Sequence, residues 1–284
     1  MDLQPVIYLT NIVIGVILAT LATHYSREQK QSGLMRYWAI AAWIMTVADV
    51  FFAARPLLPT VVGRLAPTLS VTIGLMVLLI GAQRTAGLVP RGRAAGALLA
   101  VHAAGLVGFL IAPAAADYRT VFNGLIWGGL SVASALCLRK GSPYFWQSFF
   151  APASAFWAHG AFLGLRVICA SWFAANGWRF ALDVLQIAGD LEVSFFMVAL
   201  FVGLLIAHLN LRHDELLQTR AEIETLSGLL PICAWCKKVR DDDGYWRQVE
   251  DYFGRHSRVK FTHGVCLDCI EKMDEPAATP APRR

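Results

Sequence analysis

Two cysteine pairs carry the most legible chemistry in this chain. Cys233 and Cys236 are separated by two residues, and so are Cys266 and Cys269. A Cys-x-x-Cys spacing places two thiolates on one tight turn, and two such turns facing each other make a tetrahedral sulfur site of the kind zinc takes. A thiol–disulfide cycle is the alternative chemistry for the same residues, and an iron–sulfur centre is a third. His263, three residues before Cys266, reads as a residue supporting the metal site from behind its four sulfur ligands, or as a hairpin residue. Trp235, Tyr245 and Trp246 lie in the same region. They are suited to contact a protein partner or to cover the metal site.

A second set of reactive side chains interrupts the apolar part of the chain: Asp49, His102, His159, Arg166, Asp190 and Glu192. An ionisable group inside an apolar span is costly, so it marks either function or an internal pair. One reading is a polar membrane pocket for a small ligand, a proton or a cation. The other is a cluster of Arg166 with Asp190 or Glu192 that only holds helices together. His102 and His159 are also the residue types of a b-type haem. No apolar run holds a lysine, which excludes a retinal Schiff base.

No catalytic constellation is visible in the tail: it has no nucleotide loop and no nucleophile beside a base. His213 with Asp214 and Glu215 is a faint echo of a phosphoacceptor histidine, but the expected Pro-Leu is missing. It reads as an exposed helix histidine, and no enzymatic activity is expected.

The elements that position these residues follow from composition. The chain has 284 residues, 56% hydrophobic and 16% charged, against about 25% charged in a soluble domain. Residues 1–209 hold 13 Lys/Arg and 7 Asp/Glu, and residues 210–284 hold 12 and 13. The tail has no basic excess, so no direct nucleic-acid binding is expected. A bilayer crossing needs about 20 apolar residues, and runs of that kind lie near 5–23, 37–54, 66–83, 95–113, 120–138, 150–171 and 187–208. The segment 56–63 is too short and proline-rich to cross. The first run lacks a basic leader and a cleavage pattern, so it reads as a retained span.

Loop charge sets the orientation. Arg27, Lys30, Arg36, Arg84, Arg91, Arg93, Arg139 and Lys140 fall on one side, and Arg55, Arg64, Arg119 and Arg179 on the other, with Arg166 at a span end. The denser side is expected to be cytoplasmic, with the N-terminus outside and the cysteines in a reducing compartment. Cys137 and Cys169, alone in apolar runs, read as buried thiols.

The last span is expected to continue as a polar linker helix over 210–230. Leu209, Leu216, Ile223 and Leu230 recur every seven residues, with Leu226 at an intervening position. This is a short, weak heptad seam, since Arg212 and Thr219 take the other core positions, and it predicts a homodimer. Pro231 ends that helix. The run Asp241-Asp242-Asp243-Gly244 predicts a hairpin turn. Val249, Tyr252 and Phe253 fall at helical spacing, Val259 and Phe261 alternate as a strand, and a helix is expected from Cys269. The expected module over 231–274 is a zinc ribbon or treble clef, followed by a disordered tail over 275–284.

The stretch from Leu226 to Met273 resembles a short C-terminal module of bacterial signal-transduction proteins that usually follows PAS, GAF or receiver domains. The resemblance rests on LLPIC-x-x-CKK at Leu229–Lys238, R-D-D-x-G-Y-W at Arg240–Trp246 and F-x-H-G-x-C-x-x-C at Phe261–Cys269. Leu267 stands where that module often has proline. The resemblance covers about a sixth of the chain and implies a signalling context, cytoplasmic placement and a regulatory role. It supplies no reaction. The membrane half resembles bacterial membrane sensor domains in outline only.

The combined expectation is a mostly α protein: a seven-helix transmembrane domain over 1–209, a coiled-coil linker helix over 210–230 and a small α+β four-cysteine zinc-type module over 231–274. It would sit in a bacterial inner membrane, in contact with lipid, and pass a membrane or extracytoplasmic signal to a cytoplasmic signalling protein. The alternative is a redox-active membrane protein that uses its paired cysteines as thiol/disulfide switches.

Overall fold

The computed structural model describes residues 4–28, 34–90, 92–227, 231–241, 243–256 and 260–274. Leu230 of the heptad seam, Asp242, Val259 and the tail 275–284 lie outside the described residues. The chain divides into two compact units, Met1–Asp214 and Glu215–Arg284.

The first unit is built from seven helices long and apolar enough to cross a membrane: α1 (Gln4–Glu28), α2 (Leu34–Ala53), α3 (Thr60–Thr85), α4 (Gly92–Ile111), α5 (Arg119–Leu138), α6 (Pro152–Ala175) and α7 (Arg179–Ser227). Seven expected spans coincide with seven helices, because a long apolar run in lipid must satisfy its backbone within itself. The segment 56–63 departs from expectation. Pro59 caps the start of α3, and Thr60–Gly63 belong to that helix. Pro67 sits inside α3, where it supplies no N–H to the preceding turn.

Neighbouring helices run antiparallel. Tyr8 near the start of α1 stacks on Phe52 near the end of α2. Space for a Cβ on Gly74 of α3 is taken by Met45 of α2, and Gly124 of α5 faces Val167 of α6 in the same way. Small residues let helices approach closely where lipid supplies no hydrophobic drive for association. The core runs through Trp38, Met45, Leu75, Leu78, Phe156, Phe196 and Leu200. The starts of α1, α3, α5 and α7 therefore gather at one end of the bundle with the ends of α2, α4 and α6.

Helix α7 has 49 residues, about 74 Å at 1.5 Å per residue. That is more than twice a hydrocarbon thickness of about 30 Å. Its apolar part gives way after Leu209 to a polar continuation without a break.

The second unit holds little regular structure. β1 (Val239–Arg240) pairs antiparallel with β2 (Trp246–Arg247), followed by α8 (Val249–His256) and α9 (Leu267–Asp274). The hairpin and α8 lie where spacing places them. α9 begins two residues ahead of Cys269, and Phe261 lies in irregular chain instead of a strand. A two-stranded sheet of two residues each is a hairpin and does not by itself define a zinc ribbon.

Candidate functional site

Two adjoining cavities open at the end of the bundle where α1, α3, α5 and α7 begin. The outer one, ≈ 70 Å³, is walled by Arg55, Arg64, Arg119 and Asn123. The inner one, ≈ 40 Å³, is walled by Asn11, Asp49, Gly189 and Asp190. Tyr8, Trp127, Arg166 and Gln186 line both.

A hydrogen-bonded relay crosses the inner cavity. The Arg166 guanidinium donates to Gln186 Oε1 at 2.7 Å, and Gln186 Nε2 donates to Asp190 Oδ1 at 2.8 Å. The Tyr8 hydroxyl donates to Asp190 Oδ2 at 2.9 Å. Asn11 Nδ2 donates to the Asp190 carbonyl at 3.0 Å, and Ser194 Oγ donates to Asn11 Oδ1. Both carboxylate oxygens of Asp190 are thus engaged, and α1, α6 and α7 are tied together by polar groups that lipid cannot satisfy.

The expected salt-bridge cluster takes a different form. Arg166 reaches Asp190 through Gln186, not directly. Glu192 pairs with His159 Nδ1 at 2.8 and 2.9 Å, and the His159 ring stacks on Phe196 with centroids 4.0 Å apart. A carboxylate partner fixes the proton on Nδ1 of that ring.

His102 is fully buried. Its Nδ1 meets Thr72 Oγ1 at 2.8 Å and its Nε2 meets Asn123 Oδ1 at 3.0 Å. Both ring nitrogens are occupied, so His102 is not placed to ligate a haem. It holds the cavity wall instead: Asn123 is fixed by the histidine, and Trp127 donates its indole N–H to Thr72 at 2.9 Å. Of the six membrane residues singled out by sequence, Asp49, Arg166 and Asp190 meet in one cavity, and His159 pairs with Glu192 apart from it. Tyr8, Asn11, Arg55, Arg64, Arg119, Asn123 and Gln186 were missed. Their common signal was position: they fall near span ends that seven alternating helices bring together.

In the second unit each cysteine pair has knuckle geometry of its own. Ile232 bridges Val239, and the turn between them is closed by Cys233 N–H to Lys238 O at 2.8 Å and Lys237 N–H to Cys233 O at 2.9 Å. The Cys236 N–H points to Cys233 Sγ at 3.5 Å, the backbone-to-sulfur contact that stabilises a thiolate. Lys237 adopts φ +61°, the one non-glycine residue with positive φ among the described residues. That strained value lets the chain double back immediately after Cys236. The second pair begins α9, with Cys269 N–H bonded to Cys266 O at 3.0 Å.

The first thiol of each pair is acidified. Backbone N–H groups of Cys236 and then Trp235, followed by the Cys236 thiol, hold the Cys233 thiol below its ordinary value. The Cys269 thiol, then its N–H, does the same for Cys266. The cysteines are free thiols, exposed except for half-buried Cys233. Among the described residues no three or more His, Cys, Asp or Glu gather into a metal-holding group, so each pair stands as a two-sulfur half-site. Four cysteine sulfurs, Cys233, Cys236, Cys266 and Cys269, are the donor types that tetrahedral zinc takes, but the described residues do not bring three of them together. His263 is exposed.

The hairpin between the pairs is organised by Asp241. Its carboxylate accepts the Tyr245 N–H at 2.7 Å and the Arg247 guanidinium, and Gly244 takes φ +88° at the turn. The Arg247 pairing, then the Tyr245 N–H, holds the Asp241 carboxyl below its ordinary range. Trp235 is 94% exposed, and Tyr245 and Trp246 are exposed beside the hairpin.

No protein-family model, no curated protein and no solved structure matches this chain.

Proposed function

We propose that this chain is a multi-pass membrane sensor whose helical unit receives a membrane or extracytoplasmic signal and whose cysteine module binds zinc and docks a cytoplasmic signalling protein. The observation that carries the reading is the contrast within the second unit. Its buried side chains among the described residues are Val239 and Asp241, while four paired thiols stand exposed or half-exposed on tight turns. A module of about 40 residues with so small a core needs a staple, and a structural metal supplies one. The resemblance of Leu226–Met273 to C-terminal modules of bacterial signalling proteins supports the same placement.

The linker supports a dimer. Leu209, Leu216 and Leu217 are exposed on the polar continuation of α7, as a helix awaiting a partner helix requires. Orientation gains support from the cavity. Four of the five basic residues on the sparser side, Arg55, Arg64, Arg119 and Arg166, belong to it, so the loop bias towards a cytoplasmic C-terminus strengthens once they are set aside. Trp235, Tyr245 and Trp246 would anchor the partner.

The acidified, accessible thiols favour one alternative, a thiol/disulfide switch. Metal content separates the two. Purified under reducing conditions, the full chain is expected to hold about one zinc per chain, to lose it on Cys233→Ser, and to lose in parallel a protein captured through the tail. Zinc-free protein that readily forms a disulfide within each pair would replace this reading with the redox one. A C-terminal reporter active only outside the cytoplasm would overturn the orientation.

A further inference from the structure

We propose that the outer cavity of the helical unit is a binding site for a small oxyanion, a phosphate or carboxylate group arriving at the end of the bundle where α1 begins. It rests on the bundle's own residues and holds whether or not the tail takes zinc.

Charge is the first observation. Arg55, Arg64, Arg119 and Arg166 line the outer cavity, and among the described residues no carboxylate does. Arginine keeps its charge at any physiological pH, so none of these groups escapes repulsion by losing a proton. At the same end Arg179 has Asp117 at 3.8 Å. Arg55, Arg64 and Arg119 have no such partner: among the described residues their side chains make no ion pair or hydrogen bond. Three unpaired guanidiniums converging on one cavity are unfavourable unless an anion joins them.

The second observation is the cavity floor. Arg166 is 6% exposed, and its Nε has no hydrogen-bond partner. A buried guanidinium with an unmet donor is an expensive group, and it lines the cavity. Asn123 offers a further donor. With its oxygen taken by His102, its NH₂ group carries no hydrogen bond to the rest of the described chain. Donors therefore surround the space, and the wall that presents Asn123 and Trp127 is braced from behind by His102 and Thr72.

The third observation is size. A volume of ≈ 70 Å³ takes about five waters by the measure of 10–15 Å³ each, which matches a phosphate or carboxylate group. A cation is excluded by the same geometry. Both oxygens of Asp190 are already engaged, which leaves Asp49 alone against four guanidiniums.

The shared chemistry, a bidentate oxyanion on guanidinium, has two sources: a soluble ion or the phosphate of an anionic lipid headgroup. Full-length protein in a maltoside detergent, which carries no phosphate, is titrated in thermal melts with sodium phosphate, sodium acetate or phosphatidylglycerol at fixed ionic strength. A saturable rise in melting temperature is expected with at least one of them. Response to phosphate or acetate identifies a soluble ion, and response to phosphatidylglycerol alone identifies the lipid. Replacing Arg64 and Arg119 by Gln together is expected to raise the half-saturating concentration at least about tenfold. The double Lys variant should retain most of the response. Arg84→Gln with Arg139→Gln, the same loss of two charges at the other end of the bundle, should leave it unchanged. No saturable response to any of the three probes, or a response equally sensitive to the Arg84 and Arg139 double variant, overturns the proposal.

Discussion

Gly189 is the residue through which the cavity can be tested without altering a single charge. A Cβ built there would lie 2.6 Å from Arg166 Cζ and 2.7 Å from its Nη1, where non-bonded carbon needs about 3.5–4.0 Å. In Gly189→Ala the guanidinium must retreat by about 1 Å, and its 2.7 Å bond to Gln186 is broken or stretched. A hydrogen bond to a charged group is worth about 1.5–3 kcal/mol. The same displacement takes Arg166 out of the position it holds in the cavity wall. Because the obstructed atoms end a flexible side chain, the backbone stays and the folding cost is limited to that hydrogen bond. Gly203 gives the opposite case in the same helix. Its Cβ would meet the Phe150 carbonyl oxygen at 2.6 Å and Pro152 N at 3.1 Å, both backbone atoms. Overpacking against backbone costs about 1–3 kcal/mol. Thermal melts of the two variants, with and without the oxyanion that stabilises the wild type, separate the effects. Gly189→Ala should melt lower by no more than that bond is worth and need about tenfold more anion, since 1.4 kcal/mol is a factor of ten. Gly203→Ala should melt several degrees lower with its anion midpoint unchanged. An unaltered anion midpoint in Gly189→Ala would refute the placement of Arg166 in the site.

Removing the Tyr8 hydroxyl in Tyr8→Phe leaves Asp190 Oδ2 without its 2.9 Å donor. The melt should fall by the equivalent of about 1–3 kcal/mol, whereas Tyr25→Phe deletes a buried hydroxyl that has no partner and should cost nothing. In the tail, Asp241→Asn keeps an acceptor for Tyr245 but loses the pairing with Arg247. The Asp241 carboxyl is held below its ordinary value, so its contribution is present above that value, about 3.9, and is lost as pH falls through the depressed one. Hydrogen exchange over 239–247 of the full chain should show the wild type better protected than Asp241→Asn at neutral pH, with the two converging in strong acid. Equal protection at neutral pH would remove Asp241 from the turn. Chelation of zinc from reduced protein should raise exchange throughout 231–274 and leave the bundle unchanged; protection that survives chelation would mean the module folds without metal.

How much of this was readable from sequence depends on the period of the signal. Apolar runs of bilayer length fixed the seven helices, and the DDDG turn fixed the hairpin, because each is local. The pairing of ionisable residues across helices was not local, and it was misread. Asp190 and Glu192 are two residues apart, about 200° around a helix at 100° per residue, so they cannot both face Arg166. Asp190 turns to Tyr8 on α1, and Glu192 turns to His159 on α6. Arg55, Arg64 and Arg119 were legible only as loop charges that orient the chain. Counting helix ends would have put them together, but only side-chain geometry shows that they converge on a cavity instead of pointing into water. Tyr8, Asn11 and Gln186 had only their place near a span end to mark them, since single uncharged polar residues are common in apolar helices.

The cavity and the long helix share residues, and this makes the arrangement more than a closed polar core. Gln186, Gly189 and Asp190 all belong to α7, which continues unbroken to Ser227. Gln186 is the only link in the relay that holds both partners: it accepts from Arg166 and donates to Asp190. An oxyanion held bidentately by the unpartnered Nε and by Nη2 of Arg166 would compete with Gln186 for Nη2. A side-chain amide loses that contest to a charged acceptor, because a charge-assisted hydrogen bond is about twice as strong as a neutral acceptor's. Release of Gln186 from Arg166 would weaken the tie between α6 and α7 while Asp190 keeps its bonds to Tyr8 and Asn11 on α1. On the proposed site, the equilibrium that anion binding would shift is how firmly α7 is fastened to α6 relative to α1. Only a ligand with different affinity for the two fastenings can move it, and the competition for Arg166 supplies that difference.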